Sequence, residues 1–163
     1  MRGIFDNAQQ LHQDCSGCIR RQTTIVKNGV ALHLNSPGLT NLLCIDCDNC
    51  SAFGGSEKKP DLIILASWAG AHTTLAVVAM TAGRVRSDNI DQLRCGATKC
   101  QDHKWFSLPR QFLASFVILH HGKVHEADLQ EFKRRRISFL GDKPVLLKRS
   151  ITCQTELAHL VPR

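Results

Sequence analysis

Eight cysteines are the residues whose spacing most clearly suggests chemistry. Cys15-Ser16-Gly17-Cys18 and Cys44-Ile45-Asp46-Cys47 are two CxxC pairs with 25 residues between them, and Cys50 extends the second into CxxCxxC. A CxxC turn lets two thiolates converge on one metal ion, and two such turns complete a closed tetrahedral zinc site with sulfurs at about 2.3 Å. A closed site leaves no open position for water, so its role would be structural and its binding energy would be folding energy. Zinc held by Cys15, Cys18, Cys44 and Cys47 or Cys50 is the leading expectation. Two alternatives stay open. Reduced thiols are often simply small buried hydrophobes, and an iron–sulfur cluster could use Cys50 or recruit Cys95, Cys100 or Cys153. Neither pair opens a helix after a strand, which argues against thiol–disulfide catalysis.

The second chemically loaded group is cationic. Lys and Arg number 21 against 14 Asp and Glu, a formal net charge of +7 with a pI near 9.2. Such a balance favours a polyanionic partner, because clustered cations gain affinity for phosphates by releasing counterions. Arg84 and Arg86 follow an apolar run directly. Lys133, Arg134, Arg135 and Arg136 close a predicted helix, where the helix dipole favours positive charge without any ligand. No aromatic residues interleave this second group, so base stacking is not indicated.

These residues need a scaffold, and 163 residues with 43% hydrophobic content suffice for one domain that buries roughly two thirds of its unfolded surface. Residues 4–14 suit a short amphipathic helix. Two β-prone runs around Asn28-Gly29 are the strongest short-range hairpin signal. A short helix is expected over 39–43 and a polar turn over 54–60. Residues 61–65 and 74–80 are nearly continuous apolar runs, as strands buried on both faces must be, with a turn at Gly70 between them. Ser87 or Asp88 can cap a helix; Phe112 to Leu119 is a third buried run, Glu126 to Arg136 a polar helix, and Pro144 to Lys148 a last strand. No stretch approaches the ~20 apolar residues of a membrane span. The absence of a signal-peptide pattern leads to the expectation of a cytoplasmic protein with reduced thiols and no membrane partner. Leu160-Val161-Pro162-Arg163 match the first half of a thrombin recognition sequence and read as a tag remnant.

Pro60-Asp61 opening one buried strand, a second strand ending Val77-Val78-Ala79-Met80-Thr81-Ala82-Gly83-Arg84, and a following helix with Gln92 together resemble the PD-(D/E)xK nuclease superfamily, the restriction-endonuclease-like fold. The resemblance runs from about Lys59 to Lys148. It implies a mixed sheet flanked by helices, an acid at Asp61, an acid and a lysine at positions 79 and 81, and a helical glutamine at Gln92. In such a site carboxylates hold Mg²⁺, which polarises the phosphate and activates water, while the lysine steadies developing charge. Here Ala79 and Thr81 occupy the acid and lysine positions, so normal cleavage is not expected of this chain.

The expected organisation is therefore a Cys-rich, zinc-binding region over 1–55, an α/β or α+β nuclease-like core over 56–155, and a tail over 156–163. The expected function is binding of DNA or RNA on a nuclease fold, Mg²⁺-dependent as an endonuclease in an active form and impaired in this one. The alternative is a non-enzymatic, zinc-stabilised adaptor or subunit of a larger nucleoprotein complex.

Overall fold

The structure, a computed structural model, describes residues 17–55, 58–69, 73–102, 112–149 and 155–160. The expected helix over 4–14, Cys15, Gly70 and Cys153 lie outside the described residues. A two-residue strand, β1 (Ile19–Arg20), leads into the hairpin of β2 (Thr24–Lys27) and β3 (Val30–His33). Asn28 and Gly29 both take positive φ, 50° and 73°, the mirror-image turn whose twist matches that of its flanking strands. Next, β4 (Leu39–Asp46), β5 (Leu62–Trp68) and β6 (Thr73–Thr81) form an antiparallel meander. The short helix expected over 39–43 is thus a strand: Leu43, Cys44 and Ile45 pair with Leu65, Ile64 and Ile63, and tertiary pairing overrides a weak local preference.

Helix α1 (Ser87–Asp102) carries the chain to β7 (Phe112–His120), which runs parallel to β6. Helix α2 (Glu126–Arg134) then leads to β8 (Arg136–Ser138), whose turn returns β9 (Asp142–Arg149) parallel to β7. Arg135 is extended at the C-cap, so the basic run expected to finish the helix instead crosses from α2 into β8. Finally β10 (Thr155–Glu156) adds parallel to β3, followed by a single 3-10 turn over Leu157–Leu160.

The result is an α+β fold with a seven-stranded mixed sheet ordered β1-β4-β5-β6-β7-β9-β8 and a separate three-stranded sheet ordered β10-β3-β2. Strand alternation divides the interior into two cores. On one face Ile63, Leu65, Leu75, Val77 and Ala79 meet Ile90, Leu93 and Ala97 of α1 and Phe132 of α2. On the other, Leu62, Ile64, Ala76, Val78 and Met80 meet Ile25, Val30 and Leu32 of the small sheet. Gly96 allows α1 to lie this close: a Cβ there would stand 2.6 Å from Val77 Cγ1 and 2.9 Å from Pro60 Cγ.

β1 and β4 belong to the same sheet as β5, so the region before 55 is continuous with the core sheet. Leu157 and Leu160 are 1% and 0% exposed and belong to the second core, and the Leu160 carbonyl accepts the Ser115 hydroxyl at 2.7 Å. Leu160 thus packs as a core residue. Among the described residues no helix is long and apolar enough to cross a membrane.

One buried carboxylate ties these layers together. Asp46, 1% exposed, accepts from Arg20 Nε at 2.9 Å and Nη2 at 2.5 Å, from Asn49 at 2.9 Å, and from Lys27 Nζ. Burial alone would raise its pKa, but Lys27 and Arg20 outweigh that and hold it below the usual carboxylate range. Lys27 also reaches Asp48 at 2.7 Å and the Asp61 carbonyl at 3.3 Å, so one ammonium joins the hairpin to β4 and β5. Asp46→Ala leaves two partly buried cations without their carboxylate, and a loss of about 3–5 kcal/mol is expected in urea unfolding. A loss no larger than that of an exposed ion pair would show that the cluster is not a structural tie.

Candidate functional site

The carboxyl end of β6 and the first turn of α1 enclose a cavity of about 460 Å³ lined by Lys58, Thr81, Arg84, Arg86, Asn89 and Gln92, together with Gly83 and Asp88. Their convergence follows from local structure. Thr81 is the last residue of β6 and points to the same face as Ala79, two residues earlier. The turn then swings Arg84 and Arg86 outward. Asn89 Oδ1 accepts the Arg86 N–H at 2.9 Å and the Asn89 N–H returns to the Arg86 carbonyl at 3.0 Å, fixing how the chain enters α1. The turns after β6 and β7 touch closely: a Cβ on Gly122 would lie 2.4 Å from the Gly83 carbonyl oxygen. His120, 5% exposed, steadies this contact through Nδ1 and the Gly122 carbonyl at 2.9 Å.

Most of the cations carry partners. Lys58 binds Asp88 at 2.7 Å and Asp91 at 3.3 Å. Arg84 binds Asp128 of α2 through Nε at 3.1 Å and Nη2 at 2.8 Å. The exposed guanidinium of Arg86 has no ion-pair partner among the described residues. It also borders a neighbouring hollow of about 310 Å³, shared with Arg84, Asp128 and Glu131.

The structure thus brings Thr81, Arg84, Arg86 and Gln92 together. It places Asp61 and Ala79 elsewhere. β5 and β6 are neighbours, and the pairing of Leu62 with Val78 carries Asp61 opposite Ala79, yet the two side chains do not face one cleft. Ala79 is 0% exposed inside the core under α1. The Asp61 carboxylate lies along the backbone of β6, accepting the Met80 N–H at 2.6 Å, with its other oxygen 3.4 Å from the Asn28 carboxamide. Asn28 also donates to the Met80 carbonyl at 2.9 Å. The residues present do not fit a Mg²⁺ ion: Ala79 offers no ligand atom, Thr81 offers a neutral hydroxyl, and one Asp61 oxygen is committed to the main chain.

The basic run at the end of α2 is largely occupied with its own structure. Arg135 pairs with Glu131, and Arg136 Nη1 donates to the Lys133 and Arg135 carbonyls at 2.8 and 3.1 Å. Lys133 and Arg134 are exposed.

The cysteines divide between the two cores. Cys18, Cys47 and Cys50 belong to the core under α1, whereas Cys44 faces the small sheet. The second CxxC pair is split because Cys44 lies within β4 and Cys47 in the 3-10 turn beyond it, so their side chains leave in opposite directions. Among the described residues no three His, Cys, Asp or Glu side chains converge as metal ligands would. Burial, with the Asp46 charge nearby, pushes the Cys44 thiol up to about 12, and burial beside Cys100 and Cys50 raises Cys47 well above an ordinary thiol.

Lys58 and Asn89 belong to no motif that the sequence displays. Lys58 had one available signal, the adjacent lysines before Pro60-Asp61. No family model, curated protein or solved structure matches the chain.

Burial raises the Asp61 pKa from 3.8 to about 6, the Met80 N–H and Lys27 only partly opposing it. A carboxyl with a raised folded pKa contributes stability that is full below its unfolded value and is lost as pH rises through the folded one. Asp61→Asn keeps an acceptor for Met80 and removes the titration. Its stability relative to the unaltered protein is expected to improve by about 2–3 kcal/mol between pH 4 and 7, measured by urea unfolding across that range. A difference that does not change with pH would refute the assignment.

Proposed function

We propose that this protein binds the phosphate backbone of DNA or RNA on a restriction-endonuclease-like core and, with Ala79 and Thr81 in place, does not cut it. The observation that carries this reading is the cavity at the carboxyl end of β6, where Lys58, Arg84, Arg86 and Gln92 converge beside Thr81 from separate stretches of chain. Ligands of α/β sheets bind beyond the carboxyl ends of strands, and cations there attract phosphate at long range. The meander β4-β5-β6 followed by the α1 crossover to a parallel β7 is compatible with the fold that the resemblance implies. Arg84 and Arg86 form the centre of the interface, and Lys133 to Arg136 add only to the surrounding positive field.

The direct measurement is binding of labelled DNA and RNA oligonucleotides at several salt concentrations. Arg84→Ala with Arg86→Ala is expected to weaken binding at least tenfold, and each lost phosphate contact should lower the salt slope by about 0.9. Neutralising Arg134, Arg135 and Arg136 should have a smaller effect. The opposite ranking would move the interface to the α2–β8 junction.

Mg²⁺ belongs to this reading only as the cofactor of an active form. Position 79 lies inside the core and Asp61 is turned to the main chain, so Ala79→Glu with Thr81→Lys is expected to bind no Mg²⁺ and to cut neither DNA nor RNA; Mg²⁺-dependent cleavage that is lost again on adding Asp61→Ala would overturn this. The alternative reading, the adaptor, uses the same core as a scaffold inside a nucleoprotein complex. Structural zinc would require Cys18, Cys47 and Cys50 to draw together with Cys15 more closely than the described residues do, because Cys44 faces the other core. Metal analysis should then find about one equivalent, and a strong chelator should destabilise the β1–β4 region; purified protein without zinc would remove it.

A further inference from the structure

Resting on the nucleic-acid reading of the cavity, a finer feature indicates how phosphate is held there. The Asn89 side chain is fixed at both ends: its Oδ1 accepts the Arg86 N–H at 2.9 Å, and its Nδ2 donates to Gln92 Oε1 at 2.9 Å. A carboxamide whose oxygen is turned to such a partner directs its amino group the other way. Gln92 Nε2 has no protein partner among the described residues, and Gln92 lines the cavity. The carboxylates around it are charge-paired. Asp88 is bound by Lys58 through Oδ1 at 2.7 Å, and Asp128, at the edge of the neighbouring hollow, is bound by Arg84 through Oδ2. The donors left to meet a ligand are the Gln92 amino group, the Arg86 guanidinium and the rest of the Lys58 ammonium. Among the described residues no aromatic side chain lines the cavity, so none of them offers a base a surface to stack on.

We infer that this cavity is a metal-free oxyanion receptor, in which Gln92 Nε2 and Arg86 donate directly to a non-bridging oxygen of a backbone phosphate, and that Asn89 is the positioning residue that turns the Gln92 carboxamide donor-first. A receptor made of donors recognises the phosphodiester charge and not the base sequence. It also has no need of a bridging cation.

The test uses the full chain and a labelled deoxyoligonucleotide, with affinities measured in EDTA and in Mg²⁺ and thermal unfolding as the check on folding. Binding in EDTA should be at least as tight as in Mg²⁺, which competes for the phosphates as a counterion. Gln92→Glu, which turns a carboxylate oxygen towards the phosphate, should weaken binding at least tenfold, and Gln92→Leu about threefold to tenfold. Asn89→Ser, too short to hold Gln92, should cost about threefold alone and almost nothing further in the Gln92→Leu background, because its effect passes through Gln92. An equal cost in both backgrounds would make Asn89 merely structural and overturn the inference, as would binding lost in EDTA. Should Arg86→Ala weaken binding while Gln92→Glu and Asn89→Ser leave it unchanged, the receptor is wrong and the nucleic-acid reading stands. An unaltered protein that binds neither DNA nor RNA would remove both.

Discussion

The Asp46 carboxylate is the constraint on which the arrangement of layers depends. Its oxygens gather an arginine from β1, a lysine from β2 and an asparagine from the turn after β4, so three separate stretches of chain are fixed around one negative charge. Withdrawing that charge from water is costly, and it is tolerable only because every partner arrives at once. Lys27 transmits the constraint, since the same ammonium reaches Asp48 and the Asp61 carbonyl and thereby sets the distance between the hairpin and the start of β5. At the neighbouring turn Asn28 continues the connection to the Met80 carbonyl, and Gly29 sits where a side chain would press on Ala82 at 3.2 Å. The hairpin is therefore pinned against the end of β6, the strand that delivers Thr81 to the cavity.

That placement separates two properties that a nuclease must combine. The cations stand at the mouth of the sheet, where phosphate would arrive. The carboxylate stands on the backbone of β6, drawn towards Asn28 and away from the cavity. Binding by donors and activation of water by a metal are chemically separable, and the residues at 79 and 81 leave only the first.

Part of this was legible in the sequence. Asn28-Gly29 specified its turn because few residues other than Gly and Asn tolerate left-handed backbone. The runs around Ile63, Val77 and Ile118 specified buried strands because no amphipathic alternative could hide them. Arg84, Arg86 and Gln92 were legible as neighbours because a strand, a tight turn and a helix bring nearby residues to one end of a sheet. Other features were settled by partners far along the chain. β4 reads ambiguously through Thr40 and Asn41, and only its pairing with β5 decides that it is a strand. The CxxC spacing at Cys44 and Cys47 assumes one local turn, whereas here it straddles the exit from a strand, and a period of two sends the sulfurs apart. Lys58 and Asn89 carry no pattern of their own; each acquires its place from a contact.

The small sheet joins residues from both ends of the sequence. β3 forms early, but its second neighbour, β10, and the Leu157–Leu160 turn that closes the core beneath it come more than a hundred residues later. On a ribosome, the hairpin is made before β5 and β6 and can cover part of their apolar face at once. Leu157 and Leu160 complete that cover only when they emerge, so the second core stays unfinished through the interval in which chaperones bind and aggregation competes with folding. A fold whose last turn seals its second core passes through synthesis with that core partly open.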